Sequence, residues 1–385
     1  MFMKFDSFRI IQILLISTFF LVTTCEKEVK KSRPAEDLIC IKGSPFETDN
    51  IQPWLDYYDI PGICIAVIEN DTIDWIKAYG VLNKIHYQPV NEETIFQAGS
   101  ISKLVAATIV MHVSSRENLD LNEDINSYLE GWNIPPNDYT TYNPTSINGL
   151  LSHTGGINVG GFTGYSRHAI LPEPIDILTG TGAANNSAIQ VEYIPGSEYR
   201  YSGGGYQILQ LMIEEKANTM YHSIVQEILF DTLNMYMSSY YRPVRSNNIA
   251  SGHKEDGSVV PGYWNSYPEL CAAGLWTNPN DLANFVIDIQ KTNRNISQKV
   301  LSSELTSKML SPKINIPDTE KNMGLGFVLC SDGQNEYFEH SGSNYGYTCY
   351  LLGYCNLPFG IIIMTNSANG NLLFQSIIDA IINEY

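Results

Sequence analysis

Two rhythms of apolar and polar residues run along this chain, strand-like at both ends and helical between. Near the front, Ile63-Cys64-Ile65-Ala66-Val67-Ile68 is an apolar run rich in β-branched residues, and Asn70-Asp71 before Thr72-Ile73-Asp74-Trp75-Ile76 marks a hairpin turn. At the back, 325–330, 336–340, 347–354 and 359–365 read as strands, separated by Asp332-Gly333, a Gly-Ser-Asn stretch and Asn356-Leu357-Pro358. Between them, apolar residues recur at three and four residue intervals in 102–116, 146–152, 206–216, 221–233 and 279–291, and 373–382 closes the chain in the same way. Ile208, Leu209, Leu211, Met212 and Ile213 illustrate the face each helix must bury. The pattern predicts an α+β fold: one antiparallel sheet closed by distant segments, flanked by helices, with a mostly helical insert over about 105–290. No internal repeat or low-complexity block suggests a linker, so 46–385 reads as one domain.

The first residues follow a different pattern. Lys4 and Arg9 precede the apolar run Ile10 to Val22, and Thr23-Thr24-Cys25 supplies a small-residue boundary. That is the layout of an export signal over 1–24, followed by a tether over 25–45. Val22-Thr23-Thr24-Cys25 looks like a bacterial lipobox, which would make Cys25 the lipidated first residue of the mature chain. A plain signal peptide and a retained anchor are the alternatives. The expectation is a protein of the bacterial cell envelope, lipid-anchored to a membrane at Cys25 and periplasmic or surface-exposed.

Composition narrows the partners. The formal charge is −18, and loss of the leader makes it slightly more negative. An acidic surface repels phosphate backbones, and the short basic run from Lys27 to Arg33 reads as a solvated tether, so no nucleic-acid partner is expected. The seven cysteines show no metal-cluster spacing, and Cys64, Cys330 and Cys349 sit in apolar strand-like runs that suit buried free thiols.

The chemistry starts at Ser100-Ile101-Ser102-Lys103, where a hydroxyl nucleophile and an amine base lie one helical turn apart at the head of an apolar segment. Gly99 precedes it and Leu104-Val105-Ala106-Ala107 follow, placing the serine where a helix N-terminus favours developing negative charge. Ser251-Gly252-His253-Lys254 has the same spacing, but its glycine and the following Glu255-Asp256-Gly257 predict a loop. Within Tyr199-Arg200-Tyr201-Ser202-Gly203, Tyr201 is a candidate proton relay, because a neighbouring lysinium would favour loss of the phenolic proton. His340-Ser341-Gly342-Ser343 is expected where a rear strand ends, its backbone N–H groups facing an oxyanion. His153-Thr154-Gly155-Gly156 reads as a helix-terminating turn with glycines in left-handed backbone.

Taken in order, six segments carry a resemblance: PGICIAVIEND, FQAGSISK, LLSHTGGI, YIPGSEYRYSGGGYQILQLMIEE, CAAGLWTNPNDLANF and HSGSNYGY. From about Pro61 to the C-terminus the chain resembles the serine β-lactamase and penicillin-binding-protein-like superfamily. Its nearest branch holds class C β-lactamases, D-alanyl-D-alanine carboxypeptidases and family VIII esterases, related to peptidase family S12. The resemblance implies a β-lactamase/transpeptidase-like fold, with Ser100 as acylated nucleophile, Lys103 as general base and Tyr201 as proton-transfer partner. It implies that the N–H groups of Ser100 and Ser343 form the oxyanion hole, with His340 and Gly342 lining the substrate edge, and it calls for no cofactor and no metal.

One departure bears on substrate. The family's second motif is usually Tyr-x-Asn, whereas this chain has Tyr201-Ser202-Gly203. The amide that would bind an acylamide carbonyl is missing, a loss of about 1 to 3 kcal/mol in discrimination. His340 stands where β-lactamases hold lysine, and a neutral imidazole attracts a substrate carboxylate less. The expected function is therefore an exported serine hydrolase acting through an acyl-enzyme on ester or small amide substrates. A D-amino-acid-specific peptidase or carboxypeptidase and a weak class C-type β-lactamase are the enzymatic alternatives, and a cell-wall-binding or scaffolding protein with little turnover is the non-enzymatic one. The loops 155–174 and 234–267 are expected to roof the pocket.

Overall fold

The computed structural model describes residues 51–141, 143–241 and 247–385. The predicted leader, the tether, Cys25 and Cys40 lie outside the described residues. Among those described, no helix is long and apolar enough to cross a membrane.

The strands are β1 (Gly62–Glu69), β2 (Thr72–Gly80), β3 (Phe96–Gln97), β4 (Tyr165–Ser166), β5 (Asn265–Ser266), β6 (Trp276–Thr277), β7 (Ile314–Asn315), β8 (Asn322–Met323), β9 (Val328–Ser331), β10 (Glu336–Asn344), β11 (Tyr347–Tyr354) and β12 (Phe359–Thr365). Eight form one antiparallel sheet in the order β2-β1-β12-β11-β10-β9-β8-β7. The predicted closure by distant segments is the β1–β12 pair, in register from Ile63 opposite Thr365 to Glu69 opposite Phe359. Asn70 and Asp71 both take positive φ (53° and 64°), the twist that a two-residue hairpin between β1 and β2 requires.

β1 is apolar at nearly every position because both faces of the sheet are covered. Ile63, Ile65 and Val67 join Trp54, Ile361, Ile363, Leu373 and Ile377 in one core, beneath the terminal helices Gln52–Tyr57 and Asn371–Ile382. Cys64, Ala66 and Ile68 point the other way, into a larger core built with the inserted helices. Helix Ser102–Arg116 runs through that larger core, and from Ser102 to Ser114 only His112 is not buried. A helix wrapped by protein on all sides has no polar face to spare. Cys64, Cys330 and Cys349 are buried free thiols, as are Cys271 and Cys355.

Several boundaries move for local reasons. The strand expected from Leu325 begins at Val328, because Gly326 turns through φ 89° against helix Ser102–Arg116, where a Cβ would lie 2.2 Å from that of Ala107. The helix expected from Tyr206 begins at Gly203, because Ser202 caps it by accepting from Gly205 N. The expected helix 221–233 is continuous but contains a π-helical segment, Gln226–Phe230.

The correction that matters most is at His340. β10 does not end there but runs on to Asn344, and the Gly-Ser-Asn stretch is strand rather than turn. β11 supplies the ladder, pairing His340 with Leu351 and Asn344 with Tyr347. The turn falls at Tyr345-Gly346, with Gly346 at φ 87°.

Candidate active site

Ser100 sits in a short 3₁₀ turn, Gly99–Ile101, that leads directly into helix Ser102–Arg116. Its N–H lies at the head of that helix, among groups without an intrahelical acceptor. The turn is fixed by Ser102, whose hydroxyl donates to Gly99 O (2.6 Å) and accepts from Leu275 N (3.0 Å).

β10 lies against this turn. A Cβ on Gly342 would fall 2.0 Å from Ala98 O, and one on Gly99, which has φ 53°, would fall 2.6 Å from Ser343 N. Both glycines are therefore needed for the nucleophile turn and the strand to touch. The pair Asn344–Tyr347 flanks a two-residue turn and so exchanges both ladder bonds, which leaves Ser343 with its N–H directed away from β11, while Gly99 packs close to Ser343 N.

Lys103 is buried, 2% exposed. Its Nζ lies 3.3 Å from Ser100 Oγ and donates to Ala272 O at 2.8 Å. Burial pulls its pKa down from 10.5 to about 7, so a large share of the amine is neutral at neutral pH. With one N–H on Ala272 O, the free lone pair can turn to the serine proton. The short helix Leu270–Ala273 that carries Ala272 is tied to β10 and β3 by Asn344, which donates to Ala273 O (3.1 Å) and Gln97 Oε1 (2.8 Å).

Tyr201 lies just before helix Gly203–Ala217, with Lys103 Nζ 4.9 Å from its ring centroid. Part of its surface faces the cleft, but atoms crowd its hydroxyl, and burial pushes the phenol up to about 12 against an opposing contact with the Ser100 hydroxyl. Burial is the largest influence on the phenol and raises it, and Lys103 is not among the groups that shift it.

His340 is buried within β10, its ring 6.4 Å from that of Tyr201. Its Nδ1 lies 2.6 Å from Ser341 O. A carbonyl only accepts, so Nδ1 carries the proton and Nε2 keeps its lone pair. Burial first, then Lys103, lower its pKa to about 4, with the Ser341 contact opposing.

The structure adds a residue that sequence reasoning set aside. His153, read as part of a helix-terminating turn, does follow the helix Ile147–Leu151, but it takes the left-handed conformation itself (φ 58°), together with Gly156. It is buried with its ring 4.4 Å from that of Tyr201. Its presence in LLSHTGGI was the only signal. At Gly203 a Cβ would meet the Phe162 ring at 3.0 Å and Gly160 O at 3.2 Å, so a larger residue there would have to push against the loop over 155–174. That loop and the one over 234–267 pair through β4 and β5, and Phe162, Thr163 and Tyr267 line a cavity of about 640 Å³ beside Ser343.

An antiparallel sheet with helices on both faces, and a serine and a buried lysine facing a strand edge, define the penicillin-binding-protein and β-lactamase fold. The chain belongs to the Beta-lactamase family, whose profile matches residues 48–383. Over 327 residues it is 25% identical to a Bacillus subtilis (strain 168) protein that carries the name penicillin-binding protein PbpX, covering 84% of this chain and 75% of that one. It is 23% identical over 240 residues to a beta-lactamase of Pseudomonas fluorescens, covering 61% of this chain and 62% of that one. Among solved structures, the octameric penicillin-binding protein homologue from Pyrococcus abyssi superposes with TM-score 0.70 at 22% identity, covering 84% of this chain and 75% of that one. The D-alanine carboxypeptidase AmpC from Burkholderia cenocepacia gives TM-score 0.69 at 16% identity, covering 87% and 97%. Membership of this family makes the chain a serine β-lactamase or penicillin-binding-protein relative of the hydrolase class.

Proposed function

We propose that the protein is an exported serine hydrolase that cleaves ester or small amide substrates through an acyl-enzyme. The observation that carries this reading is Lys103, buried, shifted to about 7 and 3.3 Å from Ser100 Oγ. Neutral Lys103 takes the Ser100 proton as Oγ bonds to the substrate carbonyl carbon. The carbonyl π pair moves onto oxygen, where the N–H groups of Ser100 and Ser343 hold the charge. Collapse of the adduct breaks the bond to the leaving group, which takes the proton from Lys103 by way of the Tyr201 hydroxyl. Water then attacks the ester on Ser100, its proton passing to the same amine, and the serine is released protonated. Hydrolysis of p-nitrophenyl butyrate by the purified protein, lost in Ser100→Ala, tests the reading; equal rates in both proteins remove it.

The preference for esters over β-lactams rests on Gly203, Phe162 and His340. The acylamide-binding position lacks its amide and is crowded by Phe162, and the position of the β-lactamase lysine holds an imidazole kept neutral by burial and by Lys103. The double variant G203N/F162A, which opens that space and supplies an amide, is expected to raise the rate on a penicillin roughly tenfold over wild type. A wild-type enzyme already faster on penicillin than on ester favours the β-lactamase alternative, and D-alanyl dipeptide release at the higher rate favours the carboxypeptidase. Stable acylation of Ser100 without turnover would point to a binding protein. The envelope location is part of the proposal and rests on the sequence around Cys25; Cys25→Ala should move the protein from the membrane fraction to the soluble one.

A further inference from the structure

His153 grips the segment that carries Tyr201 at three points. Its carbonyl accepts from Arg200 N (2.8 Å), its Nδ1 accepts from Ser202 N (3.1 Å), and its ring packs at 4.4 Å against the Tyr201 ring that lies between those two amides. Because a backbone N–H can only donate, Nδ1 bears the lone pair and Nε2 the proton. Burial, then Lys103 and His340, hold the imidazole well below its usual pKa, which keeps that lone pair available. Nε2 is itself buried and has no hydrogen-bond partner among the described residues. The neutral ring therefore spends Nδ1 on the turn that carries Tyr201. The left-handed backbone at His153, uncommon for a side chain of this size, is what brings its carbonyl and its ring to the same turn.

We infer that His153 is a positioning residue for Tyr201, fixing the phenol over Ser100 and Lys103 through the amides on either side of it. The inference deepens the hydrolase reading above and rests on it for the role of Tyr201. A merely structural histidine would affect folding alone; a positioning one affects turnover while binding stays nearly constant.

The experiment compares wild type, Ser100→Ala, His153→Leu and His153→Asn by p-nitrophenyl butyrate kinetics, thermal melting and crystal structures. Asparagine can place Oδ1 where Nδ1 stands and tolerates left-handed backbone, whereas leucine offers no acceptor. Expected are a fall in kcat of roughly 10- to 100-fold for H153L with KM within about threefold, and recovery of most of that loss in H153N. In the H153L crystal the Tyr201 hydroxyl should leave its place while Lys103 keeps its contact with Ala272 O. Unchanged kcat in H153L, a change in KM alone, or Tyr201 undisturbed in its crystal structure would overturn the inference. If the wild type shows no Ser100-dependent hydrolysis, the hydrolase reading falls, and the crystal structures still decide whether His153 places Tyr201. Should H153L fail to fold, His153→Gln takes its part, since its amide reaches the Nε2 position and cannot serve the Ser202 N–H.

Discussion

The chain spells Ser-x-x-Lys twice, and the two copies have become different objects. At Ser100–Lys103 the lysine is buried along a helix and lies 3.3 Å from the serine. At Ser251–Lys254 the backbone is irregular; Ser251 accepts from Asn83 Nδ2 (2.8 Å), and Lys254 faces solvent beside Asp256 at 3.5 Å. Between them His253 is held by Asn366 O (2.9 Å) and Lys84 N (3.3 Å), so this copy clasps the chain's end to the loop after β2. The same spacing brings lysine to serine only where a helix lines up the two side chains, and a dry interior then favours the neutral amine.

The sharpest way to break this comparison is to exchange each serine for alanine. Ser100→Ala should lower ester hydrolysis by roughly 10³-fold or more. Ser251→Ala should leave the rate within about threefold and cost about 1 kcal/mol of stability, as Asn83 loses an acceptor. Loss of activity in the second variant alone would exchange their roles.

Exchanging each lysine for methionine comes next. Lys103→Met should lower the rate by about 10²- to 10⁴-fold and yet stabilise the fold, because it removes a buried amine. With the folded pKa at about 7 and the unfolded at 10.5, the unfolded chain binds the extra proton between those values. The penalty is therefore full below pH 7 and fades as pH rises towards 10.5. Urea melts should show a gain on the order of a few kcal/mol at pH 6 and about 1 kcal/mol or less near pH 10. Lys254→Met should alter stability by less than about 1 kcal/mol at either pH. No gain in Lys103→Met at pH 6 would mean that the lysine is not desolvated.

The smallest effect is the pH profile of the wild type. Because the base is the neutral amine, kcat/KM should fall about tenfold per unit below pH 7 and level off above it. A limb near the ordinary lysine value instead would show that burial does not tune this residue.

Much of the scaffold was legible because its elements obey local rules. β11 and β12 were readable from apolar and β-branched runs, and helix Ser102–Arg116 from its composition and glycine-preceded start. The extension of β10 to Asn344 was not, since Gly342-Ser343-Asn344 has the composition of a turn and becomes strand only through pairing with β11. Gly342 is small because of Ala98, a contact made between remote segments. In the site, the placement of Ser100 against Lys103 was readable from spacing. The partner that orients Lys103 was not, because it is the backbone carbonyl of Ala272, and a carbonyl leaves no trace in residue identity. His153 was readable as part of a helix-terminating turn, but its contacts with the amides of Arg200 and Ser202 were not, because they come from a remote segment.

The meeting of β10 with the nucleophile turn also sets a timetable. Gln97 and Asn344, which bond across that seam, are 247 residues apart, and β10 itself needs β11 and β12 to take its place in the sheet. A chain growing from its N-terminus therefore carries Ser100 and Lys103 long before it has the strand that packs against their turn. Under the proposed mechanism, a chain terminated before β10 would keep Ser100 and Lys103 but lack the strand that supplies the second backbone donor.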